Sequence, residues 1–414
     1  MPTARRLSPR HHLGPPGAAA ASVTAAAADL VGFHGADPTS AYLAAWARVD
    51  GFATADLEQA LYEDRTLLKV LGMRRTMFVV PADLAKVIQS ACTDAIAIGE
   101  RRRIHRMLQD AGVTDDGERW LDQVEDQTVE ALHRLGEATA PELTREVAAL
   151  GTQIPFGEGR SWGGTFGMST RLLFLLAAEG RIIRGRPRGT LVSSLYRWVP
   201  MDRWVPGGLA RIPKPEAQAE LVRRYLATFG PATLVDVKWW TGWTVAESRA
   251  ALTAIGATEV RLDGGGTGWT KPGDDPGGTD LAGSAEPWVA FLPALDSTVM
   301  GWQERGWFLG PHAAALFDTN GNAGPTIWLD NRIIGGWIQR RDGEIACRIL
   351  EDVGSDAAAL VDARARALRE WLGDLRFIPR FRTPLEQELS APASQAERPS
   401  RPGGRTGRMP SRPG

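Results

Sequence analysis

Two stretches of the chain share one arrangement: a glycine, then a threonine suited to cap a helix, then aliphatic residues at helical spacing. Leu135-Gly-Glu-Ala-Thr139-Ala-Pro-Glu-Leu143 returns as Phe229-Gly-Pro-Ala-Thr233-Leu-Val-Asp-Val237. Threonine is a favoured N-cap residue, so each stretch is expected to begin a helix. A second helical run and a candidate hairpin follow each copy. The repeat therefore predicts a duplicated unit of helix, helix and hairpin, which is the layout of a winged helix.

The hairpin of the first copy is strongly basic. Residues 181–198 have the pattern of two strands around a Gly/Pro turn, and they include Arg181, Arg184, Arg186 and Arg188. Four like charges on one turn repel one another unless an anion lies nearby. The whole chain has a formal net charge of -1, so it is not expected to coat nucleic acid by bulk attraction. The local cluster instead predicts contacts from these four arginines to DNA phosphates, with an ordinary solvated surface as the alternative.

The N-terminal part of the chain repeats this layout without repeating the residues. An Ala-rich helix is predicted first, and Gly32–Pro38 breaks it. Asp37 is predicted to be the N-cap of the next helix, with Pro38 at its first position. A further amphipathic helix is predicted over residues 54–63, and the alternating pattern of 74–81 predicts a strand that a proline ends. We therefore expect a third unit of the same kind.

The predicted fold class is α+β, with three tandem winged-helix units followed by a small C-terminal antiparallel β domain. After the third unit, strand-like apolar runs recur at short spacing, among them Gly306-Trp-Phe-Leu309, and a helix is expected at about 356–372. The expected parts are a disordered tail at 1–22, a winged helix at 23–90, a helical connector at 91–126, winged helices at 127–205 and 214–285, a β-rich domain at 286–383 and a disordered basic tail at 384–414.

The sequence argues against several classes of protein. Its two cysteines, Cys92 and Cys347, are far apart and lack the spacing of metal ligands. Neither a disulfide framework nor a structural zinc is expected, and a reducing cytoplasm fits best. No apolar run approaches the roughly 20 residues that span a bilayer. A phosphate-binding loop, a dinucleotide-binding fingerprint and a His-Glu-x-x-His motif are all missing, so we expect no membrane segment, metal or cofactor.

Two further sets of residues have both a structural and a functional interpretation. Trp239, Trp240 and Trp243 lie at helical spacing, so they are expected to fill the core of the third unit rather than to stack on bases. Asp296 could be a carboxylate near a site, but a carboxylate in a turn at the end of a strand is the simpler interpretation.

Several dispersed strings, in this order along the chain, resemble the AlkZ-like winged-helix DNA glycosylase family. The resemblance covers roughly residues 23–380. Because the strings are separate and in the right order, together they are more specific than any one of them. They are Gly32 to Pro38, Ala44-Ala-Trp46-Ala-Arg48, Leu71-Gly-Met-Arg-Arg-Thr-Met-Phe-Val-Val-Pro81, Phe291-Leu-Pro-Ala-Leu-Asp296-Ser, and Pro325-Thr-Ile-Trp-Leu-Asp330-Asn-Arg-Ile-Ile-Gly335 followed by Trp337.

The resemblance implies a catalytic site in the first unit. Members of the family excise alkylated purines, including crosslinked ones, with a Gln-hydrophobic-Gln or Gln-hydrophobic-Asp triplet. The matching positions here are His34-Gly35-Ala36, so the second polar residue is missing. By this resemblance His34 would orient water and Asp37 would supply negative charge to a developing oxocarbenium ion. The structural alternatives are a turn histidine without a ligand and an N-cap aspartate.

The resemblance also implies a partner. Damaged double-stranded DNA would be bound by a monomer in the cytoplasm, associated with the nucleoid, and Arg74 and Arg75 would hold phosphates together with the arginines of the basic hairpin. N7-alkylated purines would be favoured because their positive charge reduces the help that the leaving group needs.

Two other functions are compatible with the sequence. The first is a DNA-binding protein without catalysis, either a transcription regulator or a damage-recognition factor, which the missing glutamines favour. A regulator would dimerise on a palindrome with a defined half-site spacing. The second is a small ligand bound by the β domain, with the helices as a scaffold.

Overall fold

The computed structural model describes residues 2–14, 17–156, 164–262, 264–274, 286–377 and 382–390. Helices and antiparallel sheets are mixed along these residues, as predicted for an α+β chain. The order helix, short extended segment, helix, helix and hairpin occurs three times, and a four-stranded sheet follows. Each helix within these ranges is too short or too polar to cross a membrane.

The N-terminal segment is folded, so the prediction of a disordered tail at 1–22 is wrong for the residues described there. Helix α1 spans Pro2–His11, and Leu7 and Leu13 are buried in the main hydrophobic core. The ring nitrogens of His11 hydrogen-bond to Thr298 Oγ1 at 2.8 Å and to the carbonyl oxygen of Thr228 at 3.2 Å. These partners lie 287 and 217 positions away, and local composition could not reveal them.

The first unit, residues 23–81, is built on a three-stranded antiparallel sheet. Its elements are α2 (Val23–Asp29), β1 (Phe33–His34), α3 (Ser40–Trp46), α4 (Thr54–Glu58) with a π-helical continuation at Gln59–Glu63, β2 (Leu67–Leu71) and β3 (Met77–Pro81). β3 lies between β1 and β2 and pairs with both. A short 3-10 turn at Met73–Arg75 joins β2 to β3.

The second unit, residues 117–200, has the same order of elements with a small extra hairpin. α5 (Ala82–Ile88), a π-helical turn at Gln89–Thr93 and α6 (Asp94–Asp110) connect it to the first unit. Its elements are α7 (Gly117–Leu135), β4 (Ala138–Thr139), α8 (Ala140–Glu146), β5 (Gln153–Phe156), β6 (Gly164–Gly167), α9 (Met168–Ala178), β7 (Ile182–Pro187) and β8 (Tyr196–Pro200), and α10 (Met201–Trp204) follows. The predicted boundary between residues 126 and 127 is wrong because α7 runs through it without a break.

The third unit, residues 214–270, has fewer residues in strands than the other two units. Its elements are α11 (Lys214–Phe229), α12 (Leu234–Thr241), α13 (Val245–Ala254), β9 (Thr258–Arg261) and β10 (Thr267–Thr270). A single β-bridge between Ala232 and Trp269 stands where the other two units have a short strand. Trp240 and Trp243 are buried in the main core, as predicted.

The repeated threonines cap helices as the sequence predicts. Thr139 precedes α8 and Thr233 precedes α12, and each forms a capping box with an acidic residue three positions later. The backbone N–H of Thr139 donates to Glu142 at 2.8 Å, and that of Thr233 donates to Asp236 at 3.0 Å. In both pairs the acidic side chain thus accepts the backbone N–H of the cap residue, and in the second pair Thr233 Oγ1 also accepts from the backbone N–H of Asp236 at 3.2 Å.

The C-terminal part is an antiparallel meander covered by helices. Its elements are β11 (Val289–Leu292), α14 (Gly306–Leu309), α15 (Ala313–Leu316), β12 (Thr326–Leu329), β13 (Arg332–Gln339), β14 (Ile345–Ile349), α16 (Gly354–Leu372) and α17 (Pro384–Ser390). The strands follow one another in chain order, and α16 packs against β11 and β14. The predicted strand at Gly306-Trp-Phe-Leu309 is a helical turn instead: Trp307 packs edge-on against Trp302, and so short an apolar run does not distinguish helix from strand.

The prediction of a disordered tail from residue 384 is also wrong at its start. α17 is helical to Ser390, and Leu385 is buried against β13 in the main core. The remainder of that predicted tail, residues 391–414 with its arginines, lies outside the described residues.

Candidate active site

A glycine brings strand β1 close to strand β3. Gly32 has φ +108, and a Cβ atom there would come within 2.6 Å of Val80 Cγ1. Phe33 then pairs with Val79, and His34 pairs with Phe78. Because neighbouring residues of a strand point to opposite faces, Phe33 enters one hydrophobic cluster while His34 lies on the opposite face. The sequence Gly32-Phe33-His34 thus places one imidazole in a buried position.

The His34 side chain is buried and incompletely hydrogen-bonded. It is 8% exposed, and its Nδ1 atom has no hydrogen-bond partner among the described residues. It lines a cavity of about 10 Å³, together with Arg74, Phe78, Trp240 and Ser297 among others. A cavity of that size accommodates about one water molecule. The site therefore pairs one unsatisfied imidazole nitrogen with room for a single water.

Burial controls the protonation of His34. Desolvation, together with the positive charges of Arg74 and Lys69, lowers the pKa of this imidazole from 6.5 to about 3. His34 is consequently neutral near pH 7. A neutral imidazole has one donor and one acceptor nitrogen, so His34 can hold a water molecule by a hydrogen bond, but it is a weak base.

Asp37 is engaged in the turn that precedes α3. Its Oδ1 accepts hydrogen bonds from the backbone N–H of Thr39 at 2.8 Å and from Thr39 Oγ1 at 2.5 Å. The N-cap position itself belongs to Thr39, and α3 begins at Ser40, so the helix starts two residues later than predicted. Asp37 lines a different cavity from His34, and no hydrogen bond joins the two in the described part of the chain. The fold does not bring the two predicted catalytic residues into one cavity.

Lys69 lies beside Asp37 and was not predicted from the sequence. It is 8% exposed in β2, it lines the same cavity as Gly35 and Asp37, and its Nζ donates to Tyr196 Oη at 3.0 Å. Burial and the charge of Arg184 lower the pKa of Lys69 to about 7, against the opposing effect of Asp37. The available signal was a lone lysine within the apolar run Leu67–Leu71.

Arg74 and Arg75 differ in their partners. Both have positive φ, 51 and 62, in the turn between β2 and β3. Arg75 forms an ion pair of 2.9 Å with Glu100 and lies over the Phe174 ring. Arg74 has no carboxylate partner among the described residues, and its guanidinium carbon is 3.8 Å from the centroid of the Trp239 ring. Of the two predicted phosphate contacts, Arg74 is the one whose charge is not already paired.

Three of the four hairpin arginines are paired with carboxylates of the protein. The argument that these arginines need an external anion is therefore wrong for those three. Arg181 pairs with Glu125 and Asp126, Arg186 with Glu58 and Glu63, and Arg188 with Glu142.

Arg184 is the exception in the basic hairpin. Its guanidinium carbon lies 5.1 Å from the Tyr196 ring centroid and 5.3 Å from that of Trp198, and no carboxylate pairs with it in the described ranges. Burial lowers its pKa. A partly buried cation that contacts aromatic rings and has no carboxylate partner retains its attraction for an anion.

The comparison with protein families decides how this geometry is interpreted. The family model for DNA glycosylase AlkZ-like proteins matches residues 27–371, which is most of the chain. The chain belongs to the AlkZ-like DNA glycosylase family. The resemblance inferred from the dispersed sequence strings is thereby confirmed.

A solved structure supports the same fold. The chain is similar to the DNA glycosylase AlkZ of Streptomyces sahachiroi, with 19% sequence identity and a TM-score of 0.68. The match covers 91% of this chain and 97% of that one. A comparison with curated proteins found no match.

The three positions that the sequence resemblance matched to the catalytic triplet have different surroundings in this AlkZ-like fold. His34 lines the first cavity, Gly35 lines the second, and Ala36 is exposed without a polar group. No group of three or more potential metal ligands occurs in the described part of the chain. The polar groups near the triplet are His34 on one face of the sheet and Asp37, Lys69 and Tyr196 around the other cavity.

A larger cavity lies elsewhere in this AlkZ-like fold. It measures about 550 Å³ and is lined by Trp46, Asp50, Arg364 and Trp371 among others. Its volume is in the range of small-molecule sites. However, none of residues 32–37 lines it, so this cavity is separate from the His34 site.

Proposed function

We propose that this chain is a monofunctional DNA glycosylase that hydrolyses the N-glycosidic bond of alkylated purines, N7-modified or crosslinked, in duplex DNA. Two findings support the proposal. The chain belongs to the AlkZ-like family over residues 27–371, and its fold is similar to that of a protein named as a DNA glycosylase. A glycosylase-like function for alkylated purines follows from that membership.

The observation that carries the proposal is the buried, unpartnered Nδ1 of His34 at the first polar position of the triplet. In the proposed reaction, the purine leaves with the electron pair of the glycosidic bond. An N7-alkylated purine is cationic, so that electron pair neutralises it. A water molecule held by His34 then attacks C1′ of the oxocarbenium ion, and its proton passes to solvent. The low pKa of His34 favours a role in positioning the water over one as a strong base.

We propose an electrostatic role for Asp37. Its carboxylate is fixed by Thr39, and its charge acts on the pKa of Lys69 and of Tyr196, so its field extends beyond the turn. A fixed negative charge near the sugar would lower the energy of the oxocarbenium ion. The pKa of Lys69 near 7 keeps the opposing positive charge on that amine only partly populated at neutral pH.

We further propose that the three units are winged helices that bind duplex DNA. The threefold order of helix, extended segment, helix, helix and hairpin supports this. Among the predicted phosphate contacts, Arg74 and Arg184 have no carboxylate partner in the described ranges and are proposed as primary contacts. In each of the other predicted contacts, the arginine would have to exchange its carboxylate partner for a phosphate. These arginines are Arg75, Arg181, Arg186 and Arg188. A monomer is proposed because one chain carries every proposed site residue, and a cytoplasmic location near the nucleoid is proposed because the substrate would be DNA.

The decisive experiment measures base release from duplex DNA that carries N7-methylguanine. Wild type is expected to release the base, and His34→Ala is expected to lower the rate about a hundredfold or more, since positioned acid–base groups contribute that much. The matched control is His133→Ala, which changes a half-buried histidine that lines neither cavity of the site, and it should retain the wild-type rate. Ala36→Gln, which restores the second polar position, should raise the rate. Binding without release, from this lesion and from a crosslinked duplex, would overturn the catalytic proposal.

A non-catalytic DNA-binding protein is the second candidate function. Two observations favour it. Ala36 has no polar group, and Asp37 Oδ1 already accepts two hydrogen bonds from Thr39. A regulator of this kind should form a dimer and protect a palindrome with fixed half-site spacing. Sedimentation analysis together with footprinting on random-sequence DNA separates this function from that of a monomeric enzyme without sequence preference.

A further inference from the structure

Two guanidinium groups from distant parts of the chain lie against the ring of Trp239. The guanidinium carbon of Arg74 lies 3.8 Å from the centroid of the Trp239 ring, and that of Arg305 lies 5.0 Å from the same centroid. Arg74 belongs to the turn of the first unit, Trp239 to α12 of the third unit, and Arg305 to the residue before α14. Residues Arg74, Trp239 and Arg305 are called the Arg–Trp–Arg cluster below.

The cluster concentrates positive charge that the described residues do not neutralise. Neither arginine has a carboxylate partner among those residues, and Arg305 Nη1 donates only to Met300 Sδ at 3.6 Å. Burial and the charge of Arg74 lower the pKa of Arg305 to about 10. Burial also lowers the pKa of Arg74. Arg74 is exposed and Arg305 is half-buried, so an anion from solvent can reach both guanidinium groups.

Asp236, the carboxylate that affects the pKa of Arg305, already accepts hydrogen bonds from other groups. Asp236 acts on the pKa of Arg305, but its Oδ1 accepts from the backbone N–H groups of Gln303 and Glu304 at 2.8 and 2.9 Å. Its Oδ2 accepts from the backbone N–H and the hydroxyl of Thr233. Asp236 thus serves as the cap of α12 and the anchor of residues 303–304, and its oxygens have no capacity left for a guanidinium.

The position of Arg74 is imposed by the backbone. Its φ of 51 lies in the left-handed region, which is sparsely populated for residues other than glycine. Gly242, with φ 78, ends α12, and a Cβ built there would lie 3.5 Å from Arg74 Cγ. The stem of Arg74 therefore runs along the C-terminal end of α12. Such strained geometry at an unpaired charge is typical of a ligand-binding position.

We propose that the Arg–Trp–Arg cluster binds one phosphate of the DNA backbone beside the damaged nucleotide, with Arg305 as a positioning contact from the C-terminal part of the chain. Guanidinium groups match a phosphate through paired N–H donors. Trp239 keeps both groups in place, and because its ring is covered by them it is a support for the cations rather than a platform for a base. Arg74 also lines the His34 cavity, so the phosphate held there is adjacent to the reacting sugar. This inference rests on the proposed function.

The experiment is a phosphate-by-phosphate scan of binding. Duplexes that contain a tetrahydrofuran abasic analogue carry a neutral methylphosphonate at one backbone position at a time. Affinity is measured for wild type, Arg305→Gln, Arg305→Lys and a control, Arg366→Gln, which changes an exposed arginine of α16. Urea unfolding of each variant shows whether the fold is retained.

One phosphate near the lesion is expected to be coupled to Arg305. Arg305→Gln should weaken binding about tenfold, as expected for loss of a charge-assisted hydrogen bond. Neutralising the coupled phosphate should weaken wild type and Arg366→Gln by a similar factor, but should weaken Arg305→Gln less, because that variant retains only the Arg74 contact to it. Arg305→Lys should keep the salt dependence and recover only part of the affinity, because lysine lacks the planar fork.

The outcomes separate the two proposals. If wild type binds the duplex and every methylphosphonate weakens Arg305→Gln as much as wild type, the phosphate contact is overturned while the proposed function stands. If wild type binds none of the duplexes, the proposed function fails, and the inference fails with it. A loss of stability in Arg305→Gln does not mimic the expected result, because coupling is measured as a ratio within each variant.

Discussion

Arg48 and Asp296, which are 248 positions apart, form a fully buried ion pair with two hydrogen bonds. The two nitrogens of the Arg48 guanidinium donate to the two carboxylate oxygens at 2.9 and 2.7 Å. Arg48 also donates to Thr298 Oγ1 and to two backbone carbonyl oxygens. Both residues belong to strings that identified the family in the sequence. The pair fixes the first unit to the segment after β11.

Removing one partner of this pair should destabilise the protein strongly. Arg48→Met leaves the Asp296 carboxylate buried without its cation, so the free energy of unfolding is expected to fall by about 3–5 kcal/mol. The double variant Arg48→Met/Asp296→Leu should lose less, because it buries no lone charge. Urea unfolding curves measure both. A double variant less stable than Arg48→Met would contradict this explanation.

Two helix caps that depend on neighbours in the sequence were predicted correctly, whereas ion pairs that depend on residues far away in the sequence were not. The caps at Thr139 and Thr233 depend on residues three positions away, and they were predicted correctly. Asp296 was predicted to be a simple turn carboxylate, and its partner Arg48 could not be foreseen from local patterns. The same holds for Arg186, whose partners Glu58 and Glu63 lie 128 and 123 positions away.

The candidate site also contains residues that sequence motifs identify and residues whose role depends on distant parts of the chain. The motif match identified His34 because the family strings lie around it in the sequence, and the structure gives it a buried position and a free nitrogen. Lys69 and Arg305 were missed since their importance comes from burial and from charged neighbours in other units. Trp239 was assigned to the core with its neighbours, but it is only half-buried and supports two cations.

Lys69 should make stability depend on pH above neutrality. Its pKa is about 7 in the folded protein and 10.5 in the unfolded chain, so the unfolded state binds more protons between these values. Stability should therefore rise with pH by up to about 1.4 kcal/mol per pH unit between roughly pH 7 and pH 9. Lys69→Met should remove this rise. Urea unfolding at several pH values measures it, with the exposed Lys86→Met as the control; equal slopes in the two variants would refute the assignment.

His34 should act on stability in the acidic range. Its pKa falls from 6.5 in the unfolded chain to about 3 in the fold, so the unfolded state takes up a proton that the folded state refuses. The stability of the fold is therefore not reduced by His34 above pH 6.5, and it decreases as the pH falls towards 3. His34→Gln should flatten the slope by about 1.4 kcal/mol per pH unit between about pH 6 and pH 4. Thermal or urea unfolding at several pH values tests this, and a slope in His34→Gln equal to that of wild type would contradict it.

The basic hairpin offers a test between two neighbouring arginines of equal charge. Arg184 has only aromatic partners, whereas Arg186 is held by two carboxylates. If unpaired arginines contact DNA, Arg184→Gln should weaken duplex binding for all sequences and reduce the slope of log affinity against log salt by about 0.9, the value for one lost phosphate contact.

Arg186→Gln should have little effect on that slope, because Arg186 must first give up Glu58 and Glu63 to reach a phosphate. Its effect should appear instead as a small loss of stability, since an exposed ion pair contributes about 0.2–1 kcal/mol. Fluorescence anisotropy with an undamaged duplex at several salt concentrations measures both variants. Equal slopes for Arg184→Gln and Arg186→Gln would show that the carboxylates do not determine which arginines bind DNA, and the hairpin would then act through its total charge.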